Sequence, residues 1–313
     1  MDAQSEMEME AAVAPAWREV AAAACATVMA LQDRITRALE ALDGGARFRE
    51  DPWVRPEGGG GRSRVLEGGA VFEKAGVNVS SVWGPVPEAL ASEMAGGGGT
   101  FFATGISLVL HPHSPRIPTT HANFRFLARG DSAWFGGGSD LTPYVLDEGD
   151  ARHFHGTLKA ACDAWDPAYY PRFKGWCDRY FWNTHRAEAR GVGGVFFDHL
   201  VPDATHDALA LRGFWEAVGA AFLPAYVPVV ERHRDAPWDE DLRRWQLQRR
   251  GRYVEFNLLH DRGTRFGLQS NGRVESILMS LPPLVRWDYG ADPAPGTPEA
   301  ALIEVLRAPR AWV

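Results

Sequence analysis

Lysine is almost missing from this chain. Only Lys74, Lys159 and Lys174 are present, so nearly all of the 33 Lys plus Arg are arginine. Asp plus Glu number 40, and the formal net charge of −7 excludes the broad basic surface that nucleic acid requires. An anionic ligand must be met by a local arginine cluster, for which the planar guanidinium fork is suited. Cysteine is scarce as well. Cys25, Cys162 and Cys177 are odd in number and lack CxxC spacing, which excludes a disulfide framework or a cysteine zinc site and fits a reducing compartment. Long apolar runs are also lacking: Val20 to Leu31 covers only about half of what a bilayer demands, so no membrane span is expected. The acids Asp2, Glu6, Glu8 and Glu10 stand where a secretory or mitochondrial leader would carry basic residues, and a cytoplasmic protein is expected.

Several chemistries lack their motif. No GK[ST] ending follows the glycines at 58 to 61, no GxSxG elbow is present, and no HExxH or facial-triad pattern occurs. No period of 20 to 50 residues repeats.

What remains is an ordinary globular composition, 313 residues and 45% hydrophobic, sufficient for a substantial core. Residues 1–10 read as a disordered acidic tail and 11–313 as one domain. Ala11 to Leu42 reads as one or two helices, and the glycine-rich 58–61 as a mobile flap beside a strand. "FFATGISLVLH" and "HANFRF" read as neighbouring antiparallel strands, and "WFGGGSDLTP" as a tight turn into a helix. Asp147 to Trp165, Arg172 to Arg190 and Leu209 to Arg249 have helical period, "VGGVFFDHL" reads as a buried strand, and 253 to 288 as strands separated by "DRG" and "SNG" turns. Thr297 to Leu306 closes the chain as a helix.

The alternation in "HANFRF" places His121, Asn123 and Arg125 on one face and Ala122, Phe124 and Phe126 on the other. Polar residues on otherwise apolar strands recur: Ser107, His111, Asp140, then Asn271, Gly272 and Arg273 after them. Together they point to a pocket for a ligand that is anionic at its rim and carries N–H donors at its centre. Ten histidines also raise a metal site shared by His111, His121, His155 and His185.

The stretches "GVNVSSVWG", "GISLVLHPHSPRIPTTHANFRF", "WFGGGSDLTP", "YPRFKGWCDRYFWNTHRAEARGVGGVFFDHL" and "GRYVEFNLLHDRGTRFGLQSNGRVESILMSLPPLVRW" closely resemble the oxygen-dependent coproporphyrinogen III oxidases, from about Phe48 to Val313. The resemblance implies an α+β fold: a single domain with a large antiparallel β-sheet flanked by α-helices on both faces, assembled as a homodimer, here through 253 to 288. It implies oxidative decarboxylation of two propionates of coproporphyrinogen III to vinyl groups in haem biosynthesis, with O2 consumed and CO2 and H2O2 released. The alternative from another class is a non-catalytic tetrapyrrole or haem carrier.

By position, the resemblance makes His121 the proton donor, Asp140 the acid that binds the pyrrole nitrogens, and Arg125 a catalytic positioning group. Substrate contacts fall on Ser107, Asn123, Phe124, Arg125, Asn271, Gly272 and Arg273. No organic cofactor is implied. Some relatives are assigned a divalent metal on four histidines, here His111, His121, His155 and His185; a single imidazole cannot readily be both ligand and proton donor, so the metal-free reading is preferred. The sequence departs from the family pattern in a short turn after Arg125, in Trp83 where His is common, and in "SNGR".

Overall fold

Strong alternation of apolar and polar or small residues through the middle of the chain drives strand formation, and the short turns between these segments force antiparallel neighbours. The computed structural model describes residues 3–86, 94–269 and 272–313. The strands are β1 (Arg49–Val54), β2 (Gly59–Glu67), β3 (Phe72–Pro85), β4 (Thr100–Pro112), β5 (Thr119–Arg129), β6 (Ser132–Thr142), β7 (Trp182–Asn183), β8 (Glu188–Ala189) and β9 (Gly193–Leu200). Among the described residues, β1-β2-β3-β4-β5-β6-β9 form a seven-stranded antiparallel sheet, while β7 and β8 form a separate ribbon. The turn after Arg125 closes as a two-residue hairpin, Gly130 and Asp131, with Gly130 at φ 56°.

The helices are α1 (Ala3–Ala12), α2 (Arg18–Asp43), α3 (Glu148–Asp163), α4 (Tyr169–Tyr180), α5 (Ala208–His233), α6 (Glu240–Leu259), α7 (Arg262–Gln269), α8 (Val274–Leu278) and α9 (Pro298–Arg307). In α2, Ala24, Val28, Leu31, Ile35 and Leu39 recur on one stripe and are buried. With Phe214, Trp215, Val218 and Phe222 of α5 they join the sheet core of Phe124, Phe126 and Phe135. Phe126 lies 5.0 Å from Phe135, which lies 5.7 Å from Trp215. Fully burying such a ring contributes roughly 1.5–3 kcal/mol. Helix α5 is long and apolar enough to cross a membrane, yet half of its apolar window is buried inside the protein, so it reads as the core helix of an α+β domain.

A single carboxylate fixes α2 to the sheet. Buried Asp43 accepts the backbone N–H groups of Gly45, Ala46, Ala70, Val71 and Phe72 at 2.9–3.1 Å, with Gly44 in the left-handed conformation that ends the helix. Burial alone would raise this pKa. The amides of Ala46, Ala70, Val71 and Phe72 outweigh it and hold the carboxyl below its ordinary value.

Four expectations are corrected. The acidic N-terminus is helical over Ala3–Ala12, and Met9 is buried in the core, giving the helix an anchor that the charge pattern conceals. Gly58 and Gly59 turn a β1–β2 hairpin at φ 132° and 81°, and Gly60 and Gly61 continue as paired strand rather than a flap. "GGGS" lies inside β6 and makes no turn: a Cβ at Gly138 would stand 2.2 Å from the Val195 carbonyl, so glycine is required by close strand approach. The described residues of 253 to 278 lie mainly in α6, α7 and α8 instead of strands. Tyr253, Val254, Phe256 and Asn257 are buried at helical spacing, so tertiary packing overrides the β preference of Tyr, Val and Phe.

Candidate active site

The second face of the sheet is polar, and strand register aligns its residues. Asp51, Ser63, Asn78, Ser107, Asn123 and Gly138 stand directly opposite one another in sequence across β1 to β6. Helix α8 covers one part of this row, where Ser276 Oγ lies 2.8 Å from Ser63 Oγ. Ser107 and Asn123 stay half-buried. Beside them Gly105, Gly136 and Gly138 face the same side, and the Arg125 and Asp198 side chains cover Gly136. We call this glycine-lined strip the trough; Arg125 stands on it between Gly105 and Gly136.

His121 and Asp140 form the chemical centre. They are directly paired on β5 and β6, and His121 Nδ1 lies 2.8 Å from Asp140 Oδ1. Asp140 is only 2% exposed, and Arg190 Nη2 donates to both of its oxygens at 2.8 Å. Burial pushes the Asp140 pKa up, but the Arg190 charge and the His121 hydrogen bond prevail and leave it below its ordinary value. An ionised carboxylate only accepts, so His121 Nδ1 carries the proton and its Nε2 is directed elsewhere. Nε2 has no partner among the described residues, and the ring is 19% exposed.

Arg190 is itself braced. Its guanidinium lies 4.0 Å from the centroid of Phe181, 4.7 Å from Tyr253 and 5.0 Å from Phe256, and Nη1 donates to Asn257 Oδ1 at 2.9 Å. The chain Asn257–Arg190–Asp140–His121 therefore ends in an imidazole edge at the trough.

Arg125 Nη1 donates to Asn123 Oδ1 at 3.0 Å, and Nη2 lies 2.8 Å from Asp198 Oδ2. Arg262, at the start of α7, stands 3.8 Å from the same Asp198 oxygen. Thus His121, Asn123, Arg125 and Ser107 share one face as the sequence predicts. Asp140 joins them, but as the partner of His121 and Arg190, with both oxygens already engaged.

Other predicted residues lie elsewhere. Phe124 is buried on the opposite face against Gly219, since alternation sends its side chain into the core. Asn271 lies outside the described residues. Gly272 bonds back to the Gly267 carbonyl at 2.9 Å, and Arg273 Nη2 donates to Asp51 at 2.5 Å, separated from Arg125 by the breadth of the sheet. The four histidines do not converge as a ligand set. His111 is bonded to Thr119 and the Ser280 carbonyl, His155 to Tyr170 and the Val192 carbonyl, and His185 to Glu255 and His260. Burial holds the pKa of His111 well down and that of His155 at about 3. His185 lies in a 3-10 turn (Thr184–Arg186) and not on the long helix expected over 172 to 190. These residues do not fit a shared metal ion.

Sequence reasoning missed Arg190, Asn257, Asp198 and Arg262. Asp198 carried the same signal as Asp140, a lone acid in an apolar strand; Arg190 and Arg262 carried none. A family model described as coproporphyrinogen III oxidase matches residues 23–312 of this chain.

Proposed function

The chain belongs to the coproporphyrinogen III oxidase family, an oxidoreductase family of haem biosynthesis, and from that premise we propose that it carries out the oxygen-dependent reaction. Two propionates of coproporphyrinogen III become vinyl groups, yielding protoporphyrinogen IX. For each, the side chain loses CO2 and one β-hydrogen, and its two electrons pass to O2. That hydrogen and one further proton complete H2O2.

The observation that carries this reading is the His121–Asp140 pair at the edge of a glycine-floored trough. A bulky, flexible macrocycle is taken most readily where few side chains stand, and Gly105, Gly136 and Gly138 add none beside Arg125. Arg125 offers a guanidinium for a propionate, a charge-assisted contact worth roughly 1.5–3 kcal/mol net. Asp140 accepts from His121 Nδ1–H and fixes the ring, which aims the Nε2 edge at the substrate, where His121 acts as donor of the further proton. Holding propionate, proton donor and O2 together can contribute about 7–11 kcal/mol to lowering the barrier.

An oxygen-independent route through an iron–sulfur cluster needs a set of thiolates. Here Cys25, Cys162 and Cys177 lie on α2, α3 and α4, all buried, and burial raises the Cys162 thiol to about 12. Activity should survive exhaustive chelation with no metal by elemental analysis. The decisive experiment is oxygen uptake on adding coproporphyrinogen III. Stoichiometric uptake with CO2 release supports the proposal, whereas binding without uptake assigns the chain to the tetrapyrrole carriers.

We also propose a homodimer contact through the end of α6 and the segment 284 to 289. Leu258 and Leu259 end α6, and Leu284, Trp287 and Tyr289 lie on the segment that runs back along it; all five are exposed. Gly251 permits this close return, since a Cβ there would meet the Arg286 carbonyl at 2.7 Å. Exposed apolar groups at the end of α6 and on its return segment favour a second copy as their cover.

A further inference from the structure

We propose that Asp198, rather than Asp140, is the carboxylate that accepts the inward N–H groups of the reduced tetrapyrrole. The inference rests on the substrate reading above and names the residue that grips the ring. Asp140 is poorly placed for that task. Its oxygens already accept from His121 and Arg190, and it is sealed from solvent.

Asp198 is carried to the trough by a local irregularity in β9. Phe197 pairs with Gly137 and Leu200 with Phe135, so two residues, Asp198 and His199, oppose the single Gly136. Phe197 and Leu200 both enter the core, which a regular strand would forbid for residues three apart. The additional residue is His199, at φ 47°, stacked 5.1 Å from the ring of Trp134. Bulges of this kind re-aim a side chain, and a left-handed non-glycine residue marks backbone strain of the sort found at functional sites. What is re-aimed here is the Asp198 carboxylate.

That carboxylate stands over the floor. A Cβ on Gly136 would meet Asp198 Oδ1 at 2.8 Å and Arg125 Nε at 2.9 Å. Oδ1 accepts from the His199 amide at 3.0 Å and Oδ2 from Arg125 at 2.8 Å, so each oxygen keeps a lone pair for another donor. The side chain is 10% exposed, against 2% for Asp140. Arg125 and Arg262 flank it, supplying cations for carboxylates at the ring's edge while the acid between them takes the N–H groups.

The test exploits a difference between two ligands. Coproporphyrinogen III presents four inner N–H donors and its oxidised counterpart, coproporphyrin III, only two, with the same four propionates. Affinities of both are measured anaerobically for the wild type, Asp198→Asn and Asp140→Asn. The wild type should prefer the porphyrinogen. Asp198→Asn, whose amide oxygen can still accept from His199, should erase that preference, weakening porphyrinogen binding about tenfold or more with little change for the porphyrin. Asp140→Asn should keep the preference. If Asp198→Asn weakens both ligands alike, Asp198 only positions Arg125 and the proposal falls; it falls equally if the preference survives. Failure of the wild type to bind either tetrapyrrole would instead overturn the substrate reading itself.

Discussion

His121 and Asp140 face each other across β5 and β6 at 2.8 Å, in direct register, so the alignment of two strands sets which edge of an imidazole reaches the trough. This coupling makes the proton donor a property of the sheet. His121→Gln should lower kcat by about 10²–10⁴-fold, the range of a positioned general acid, with little change in unfolding midpoint because the ring is partly exposed. Turnover near the wild-type rate would remove His121 from the chemistry.

Arg190 should matter for stability. Its charge is the cationic partner of a carboxylate that is 2% exposed. Arg190→Met removes the guanidinium that meets both oxygens of that buried carboxylate, a loss of about 3–5 kcal/mol in urea unfolding. A loss below about 1 kcal/mol would show that the pair is not desolvated as described.

Arg125 lies in the open part of the site and should act on binding. Arg125→Ala removes the guanidinium proposed to hold a propionate, and KM should rise about tenfold or more. The fold should persist, since the side chain is 30% exposed. An unchanged KM would contradict the assignment.

Acid should weaken the fold before the carboxylates titrate. Burial lowers the pKa of His155 from 6.5 to about 3, so between those values the unfolded chain binds the proton and the folded chain does not. The stabilisation is complete above pH 6.5 and is lost as pH falls towards 3, by up to about 1.4 kcal/mol per pH unit for this one group. His111, shifted in the same direction, adds to the slope. Asp43, lowered from 3.8, acts further down: its contribution is present above 3.8 and lost as pH falls through its folded value. Urea denaturation at pH 7, 5.5 and 4.5 should show this decline, and His155→Gln should flatten it. An unaltered slope in that variant would refute the His155 contribution.

Dimerisation is checked by sedimentation. Leu259→Glu combined with Tyr289→Glu should convert a twofold assembly to single chains while leaving the circular dichroism spectrum intact. A species that remains dimeric would move the contact elsewhere.

The strands were legible because alternation is local. Six residues of β5 disclosed which side chains point together, and "FFATGISLVLH" supplied its neighbour. His121, Asn123 and Arg125 share one face of β5, as the alternation predicts, and the family match covers nearly the whole chain. The α6–α8 region misled because Tyr, Val and Phe prefer strands and only packing made them helical.

What the sequence determined by itself is therefore the alternation of the central strands, the residues sharing a face of each, and the family, since alternation depends on neighbours within a few positions. Only the tertiary structure decided who partners whom. Arg190 reaches Asp140 from 50 positions away, and a bulge in β9 brings Asp198 to Arg125. Such pairings depend on strand register and on desolvation, which exist only once the sheet has closed and water has left the charges between its strands.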